Sequence, residues 1–475
     1  MDHQTSQPGT PSISRRKLLG IGLLGGCAVA TGGIVLWAQK KPTTSKKSPT
    51  GPKSRTVILI TLDTTRADHL GCYRYGRDTS PNIDRLADDA LVFDRAIAPG
   101  TWTLPSHASL FTGKFVSSHG AQYDPDGDMQ LIKALEKKDK SWDVYRAKTI
   151  SATEITLADV LRQAGFVTGA VVAGPWLKRI FGLDKGFDHY DDGYISELNG
   201  RLADSVTDHA IQFLKKTNGQ SRFLFLNYFD PHSPLQPPAK YARQFVPGGL
   251  PTGGWALSRE QKIGLYDAEI NFMDHHIGRL LDWLRNTNEY EDALIVVTAD
   301  HGSLTGEHGE WGHGATPYQE VVHIPMLVKE QGASRIRNRS NDWVQLTDVL
   351  PMILQRLDVA TPPNIQGNLP SQIQHPILIE SRTLPTVGTK GHWMAVINDD
   401  KKYVWNSKGN HMMFDLAEDP DENNNLFPAN MQEIGAAFDE LTQYLASLPQ
   451  PGSSGLDRNV DQQTLDALKN LGYVK

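Results

Sequence analysis

Three mainly apolar runs in this chain each end in an acidic residue, and that pattern leaves few folds open. Val57 to Leu62 runs into Asp63, Phe223 to Phe229 into Asp230-Pro231-His232, and Leu294 to Ala299 into Asp300-His301-Gly302. Apolar runs without alternation describe strands buried on both faces, as in a parallel sheet covered by helices. In such sheets ligands gather beyond the carboxyl ends of the strands. A single acidic strand end has an ordinary explanation as a helix cap or a solvated turn. Three in one chain point to a shared site.

The sequence between these runs keeps the alternation. Leu157, Val160, Leu161 and Ala164 follow the i, i+3, i+4, i+7 spacing of an amphipathic helix, Gly165 stops it, and Val167 to Ala173 reads as the next strand. Ile270, Met273, Ile277, Leu280, Leu281 and Leu284 share one face of a longer helix that leads into the strand Leu294 to Thr298. The expected fold is α/β, a large mixed, mostly parallel sheet sandwiched by helices. Beyond about residue 370 come the short strands Pro376 to Glu380, Trp393 to Asn398 and Lys402 to Asn406 and a late helix, read as a small C-terminal antiparallel-sheet subdomain. No internal repeat is evident. The chain of 475 residues therefore divides at 1–38, 39–55, 56–370 and 371–475.

The first of these segments reads as an export signal. Ser14-Arg15-Arg16-Lys17-Leu18-Leu19 has the form of a twin-arginine motif, and the apolar stretch from Leu18 to Ala38 is long enough to cross a bilayer. Leu24-Gly25-Gly26-Cys27 loosely matches a lipoprotein cleavage site that would leave Cys27 lipidated; otherwise Cys27 is a small apolar residue of an uncleaved span. Lys40 to Arg55, rich in Lys, Ser, Thr and Pro, is a tether. The expectation is a protein working outside the cytoplasm, periplasmic, and held at the membrane by its N-terminal anchor or a lipid. The only cysteines are Cys27 and Cys72, so there is no disulfide framework, and a net charge of −6 gives no basic footprint for nucleic acid.

Asp63, Asp300 and His301 supply two carboxylates and an imidazole, a donor set for one divalent ion that favours Mn²⁺ or Zn²⁺, with Ca²⁺ or Mg²⁺ as alternatives. Thr103, in Thr103-Leu104-Pro105-Ser106-His107, has the sequence of an ordinary N-cap with a proline close behind. A helix N-terminus also stabilises a bound sulfuryl or phosphoryl group. Through its hydroxyl Thr103 would complete the metal shell and be activated there. His107, one turn on, would contact the transferred group or merely pack. His308 and His313 lie in the glycine-rich Glu307-His308-Gly309-Glu310-Trp311-Gly312-His313-Gly314, and with His232 they are the candidates to protonate a leaving group.

In order and spacing, these elements resemble the sulfatase family of the alkaline-phosphatase superfamily. The landmarks are Leu62-Asp63-Thr64-Thr65-Arg66-Ala67-Asp68, Ser80-Pro81-Asn82-Ile83-Asp84-Arg85-Leu86, the Thr103 segment, Gly182-Leu183-Asp184-Lys185-Gly186-Phe187-Asp188, Asp230-Pro231-His232, Tyr266-Asp267-Ala268-Glu269, Thr298-Ala299-Asp300-His301-Gly302 and Phe414-Asp415-Leu416-Ala417-Glu418-Asp419-Pro420. The resemblance runs from about Val57 to the C-terminus. It implies a sheet of ten or so strands, a small C-terminal sheet that helps frame the pocket, and an ordinary packed role for Cys72.

The departures from the family pattern bear on mechanism. Thr103 stands where sulfatases carry the cysteine or serine of a C/S-x-P-S-R signature that becomes formylglycine, and His107 stands at its arginine. Thr64 replaces a second aspartate and His301 an asparagine. The lysine-and-histidine element appears as Gly174-Pro175-Trp176-Leu177-Lys178, in which Lys178 would reach the anion from a shifted position. Threonine cannot form the aldehyde, so no formylglycine is expected. A Thr103 ester must be released by attack at the central atom, a familiar route for phosphorus and a difficult one for sulfate. The expectation is a metal-dependent ester hydrolase with a covalent Thr103 intermediate, acting on phosphate or phosphonate esters of small-molecule, glycan or lipid alcohols. Sulfate-ester hydrolysis, envelope phosphotransfer, and a non-catalytic relic that binds an anionic glycan or lipid are the alternatives. The loops Asp124 to Thr149 and Gln236 to Arg259, where substrate choice would reside, carry no readable motif.

Overall fold

The computed structural model describes residues 54–448 apart from 125–128, 131–145, 196–199, 247, 250–256, 333–337, 373–374, 384–390 and 428. The export motif, Cys27, nearly all of the tether and parts of both substrate loops lie outside the described residues. Within them no helix is long and apolar enough to cross a membrane.

The three apolar runs form the centre of a nine-stranded sheet. Its strands in chain order are β1 (Thr56–Leu62), β2 (Leu91–Ile97), β3 (Val167–Val171), β4 (His189–Asp191), β5 (Arg222–Tyr228), β6 (Ala293–Thr298), β7 (His323–Ile324), β8 (Met326–Lys329) and β9 (Asn338–Gln345). Across the sheet the order is β7-β2-β8-β6-β1-β5-β3-β4, with β9 pairing β2. β1 pairs in parallel with β5 and β6, and β5 with β3. β8 is antiparallel to both β6 and β2, so the sheet is mixed and mostly parallel. Every residue of β1, β5 and β6 is buried.

β2 and β9 have no apolar run. Asp94-Arg95 interrupts the first and is half-buried, with Asp94 taken by Arg339 and Arg95 2.7 Å from Asp400. β9 is largely exposed and polar. Burial on both faces makes a strand legible in sequence; β2 and β9 lack it and are held by backbone pairing.

Two helices bear on the site. α1 (Thr103–Thr112) is buried at every position, as suits a helix enclosed by the core, and ends at Gly113 with φ 64°. α2 (Arg259–Asn286) begins in a capping box in which the Ser258 side chain accepts from the Gln261 N–H. Its buried face carries Tyr266, Glu269, Ile270, Met273 and Ile277.

The C-terminal sheet is antiparallel, with strands β10 (Ile377–Ser381), β11 (Trp393–Asn398), β12 (Lys401–Asn406) and β13 (Met412–Asp415). Alternate residues face opposite ways. Ile377, Ile379, Ala395, Ile397, Val404 and Phe414 join the main core. Leu378, Val396, Tyr403, Trp405 and Met413 pack with Ile434 and Leu441 of α3 (Met431–Ser447). The described residues form one compact unit.

At the end of β5 the buried Asp230 accepts the Ala203 N–H at 3.0 Å through Oδ1, while Oδ2 has no partner among the described residues. Burial pushes this carboxyl up to about 7. The folded protein therefore binds a proton that the unfolded chain has lost, and this group's contribution to stability falls as pH rises from about 4 to about 7. Asp230→Asn keeps the Oδ1 acceptor and is expected to flatten that slope, read as the difference in urea midpoint between pH 4.5 and 7.5. Equal slopes in both proteins would place the ionisation elsewhere.

Candidate active site

Two strand ends and one helix start converge. β1 delivers Asp63, β6 delivers Asp300 and His301, and the first turn of α1 delivers Thr103; all four side chains are fully buried. Donor atoms of Asp63, Asp300 and His301 lie within 4.8 Å of one another. The Thr103 hydroxyl is 3.4 Å from His301 Nε2, and Asp300 Oδ2 is also 3.4 Å from it. His301 Nδ1 is 2.8 Å from the Gly302 carbonyl, which assigns the proton to Nδ1 and turns the Nε2 lone pair toward the acidic groups.

The polar atoms here that lack a partner are the ones a cation would use. Among the described residues, neither oxygen of Asp63 nor Oδ2 of Asp300 accepts a hydrogen bond. Burial first, and the Asp300 charge second, push the Asp63 carboxyl well above its ordinary range. Two buried carboxylates with three oxygens that accept no hydrogen bond, beside an imidazole lone pair, fit a divalent ion. Thr64 adjoins them at φ 52°, a strained conformation for a β-branched residue, and its buried hydroxyl also has no hydrogen-bond partner among the described residues. That turn is held by the Thr64 N–H donating to Asp300 Oδ1 (3.2 Å) and by the Tyr266 hydroxyl, which donates to the Thr64 carbonyl (2.6 Å).

Thr103 is the first helical residue rather than the N-cap. Trp102 occupies the cap position, and no side chain makes a cap bond there. The Thr103 hydroxyl is thus not engaged in closing the helix.

His107 lies beneath the centre. Its Nδ1 is 2.9 Å from the Thr103 carbonyl and its Nε2 is 3.0 Å from the Thr61 hydroxyl. Burial holds its pKa below the usual value, so the ring is neutral and both nitrogens serve the scaffold. The chain of bonds continues from Thr61 to Asn227 Nδ2 (3.3 Å), whose Oδ1 accepts the Gly174 N–H at 2.9 Å. Thr61 and Asn227 escaped the sequence reading; a polar residue inside an apolar run was the available signal.

His232, His301 and His313 form a cluster, with ring centroids 5.0 Å apart for His232 and His313 and 4.5 Å for His301 and His313. His232 stacks on Phe229, and its Nδ1 is 2.6 Å from the Ser233 carbonyl. Enclosure pushes His232 down to about 3, and it holds His313 well below the ordinary value, with the neighbouring imidazoles adding to both. Both rings are therefore neutral at neutral pH.

His308 faces elsewhere. It adopts φ 53°, stacks on Tyr318 at 3.7 Å, and points Nε2 at Glu320 Oε1, 3.3 Å away. The loop bearing His308 and His313 is anchored by Arg66, which bonds Glu307 (2.9 Å) as well as Asp68. Lys178 is buried in the turn after Pro175–Leu177. Cys72 is half-buried against the core, where burial raises its thiol pKa.

Residues 55–359 match the family model described as Sulfatase. An arylsulfatase of Clostridium perfringens is 22% identical over 458 residues, covering 82% of this chain and 93% of that protein. BT4656, solved in complex with its substrate D-glucosamine-2-N,6-O-disulfate, superposes with a TM-score of 0.66 at 20% identity, over 83% of this chain and 98% of its own. The phosphonate monoester hydrolase of Agrobacterium radiobacter gives a TM-score of 0.64 at 17% identity, over 83% and 95%. One fold thus carries a sulfated sugar in the first structure and phosphonate chemistry in the name of the second.

Proposed function

The chain belongs to the sulfatase family, a sulfatase-like ester hydrolase by its relatives, and from that premise we propose that it cleaves phosphate or phosphonate esters through Thr103 as a covalent nucleophile. The observation that carries this reading is the Thr103 hydroxyl, buried at a helix start, engaged in no cap, and 3.4 Å from an imidazole nitrogen that adjoins two carboxylates. Asp63, Asp300, His301 and Thr103 would hold one Mn²⁺ or Zn²⁺, whose charge lowers the hydroxyl pKa and neutralises the transferred group.

The residues then divide the work. Thr103 Oγ1, having lost its proton to solvent, attacks the phosphorus, and the bond from phosphorus to the ester oxygen breaks. Burial lowers the pKa of His232 and His313; the charge of an anionic ester beside them would act in the opposite direction, and the departing oxygen would take its proton from the ring so protonated. Water next attacks the phosphorus of the Thr103 ester; its proton restores the imidazolium, and Thr103 leaves as the alkoxide. The α1 N-terminus, where Trp102 at the cap position makes no side-chain cap bond, would favour the negative charge of the transferred group.

A formylglycine hydrate has a second hydroxyl with which to expel sulfate, and threonine has none. Sulfate-ester hydrolysis is the second reading, favoured by the arylsulfatase relative and the disulfated sugar of the neighbouring structure. The deciding experiment measures Mn²⁺- or Zn²⁺-dependent turnover of matched aryl sulfate, phosphate monoester, phosphate diester and phosphonate esters. Phosphorus esters are expected to lead; a faster, Thr103-dependent sulfate reaction would overturn the preference. Action outside the cytoplasm rests on Ser14 to Leu19. Replacing Arg15 and Arg16 together with lysine is expected to stop export, and undiminished periplasmic protein would contradict that route.

A further inference from the structure

Lys402 on β12 and Glu422, in the turn beyond β13, form an ion pair 2.7 Å long with no solvent exposure on either side. Among the described residues no other lysine or arginine pair is so completely enclosed. Burial of such a pair contributes little net stability, because desolvation offsets the attraction. Its remaining hydrogen bonds are therefore informative. Lys402 Nζ donates to the Pro317 carbonyl, and Glu422 Oε2 accepts the Gln319 N–H at 2.7 Å. Lys402 thus grips the backbone of residues 313–318, a stretch with no helix or strand of its own, and Glu422 grips the first residue of the short helix Gln319–Val322 that follows it.

That stretch ties the two halves of the active centre together. On one side the Gly314 N–H donates to the Thr101 carbonyl at 2.8 Å, two residues before Thr103. On the other the Gly302 N–H, next to His301, donates to the Val321 carbonyl at 2.7 Å. The approach at Gly302 is so close that a Cβ there would lie 2.2 Å from the Glu320 carbonyl oxygen. His313 begins the segment, and Tyr318 and Glu320 receive His308.

We propose that the Lys402–Glu422 pair is a positioning device for the active centre, which pins residues 317–319 and thereby sets the separation of Thr103 from His301 and the attitude of His313. The inference rests on the reading above that these residues form the reaction centre. Lys402 and Glu422 are positioning residues that act through the backbone of the segment.

The test uses the full chain and three variants, Lys402→Met, Glu422→Gln and the double Lys402→Met/Glu422→Leu. Each single change strands a buried charge and lowers Tm. The double removes both charges and is expected to recover most of the Tm, while the Pro317 carbonyl and Gln319 N–H still lack their partners. All three are expected to lower kcat on the best ester about 10- to 100-fold with KM changed less than about threefold, and to weaken Mn²⁺ binding, titrated without substrate, by about tenfold. A double variant that regains kcat and Mn²⁺ affinity along with Tm would reduce the pair to a structural role and overturn the proposal. If the wild type turns over no ester, the proposed chemistry fails separately and the Mn²⁺ titration decides. A crystal structure of the double variant decides in any event: a Thr103–His301 separation unchanged from wild type overturns the proposal, and a widened one supports it.

Discussion

Thr103→Ala is expected to lower turnover of the best phosphorus ester by about 10⁴-fold or more, the scale of losing a covalent nucleophile. The fold should scarcely notice. Trp102 holds the cap position of α1, and among the described residues the hydroxyl's hydrogen-bond partner is His301 Nε2 at 3.4 Å, so alanine removes no bond that closes the helix. Alanine also favours a helix interior. An unchanged Tm beside the collapse in kcat would separate chemistry from stability. Thr103→Ser retains a hydroxyl at the same place and is expected to keep activity within about tenfold. In wild-type protein quenched in acid during turnover, the peptide containing Thr103 should carry a phosphoryl group, seen by mass spectrometry. Full activity in the alanine variant, with no modified peptide in the wild type, would mean that water attacks the substrate directly.

Asp63→Asn should move activity and metal-free stability in opposite directions. Asp63 has no hydrogen-bond partner among the described residues, and burial together with the Asp300 charge raises its pKa well above the ordinary value. Between the unfolded and folded pKa values the native protein binds the extra proton, so this group's contribution to the stability of the metal-free protein falls as pH rises above about 4. Asparagine removes the uncompensated charge. The metal-free variant is expected to be more stable at pH 7.5 by about 1–3 kcal/mol, read from urea denaturation in a chelator. With Mn²⁺ or Zn²⁺ the order reverses: the wild type gains Tm by binding an ion to the native state alone, whereas the variant gains little and loses kcat by about 10³-fold. A variant less stable than wild type in chelator, yet still raised by metal, would remove Asp63 from the ligand set.

Legibility of the fold followed burial. β1, β5 and β6 were readable because strands enclosed on both faces are apolar at most positions, and their ends were readable because an acidic residue there breaks the run. β2 and β9 were not, since salt bridges and solvent meet half of their side chains. Asp63, Asp300 and His301 come together as residue type and strand position imply. His232 and His313 lie beside them, whereas His308, one short loop away, turns to Tyr318 and Glu320. A glycine-rich loop leaves side-chain direction undetermined, so the spacing of those histidines carried no information about which would face inward.

The sequence by itself determined the α/β class, the strand ends that bear acidic residues, and a threonine at the start of a helix. Each follows from short-range pattern, where hydrophobic period and chain direction leave one reading. Only the tertiary structure decided that the Thr103 hydroxyl caps nothing, that His107 serves the scaffold, and that Lys402 and Glu422 grip the loop behind the site. Those outcomes depend on hydrogen bonds between residues far apart in sequence. The energy of each is set by who else is buried nearby, which no local pattern encodes.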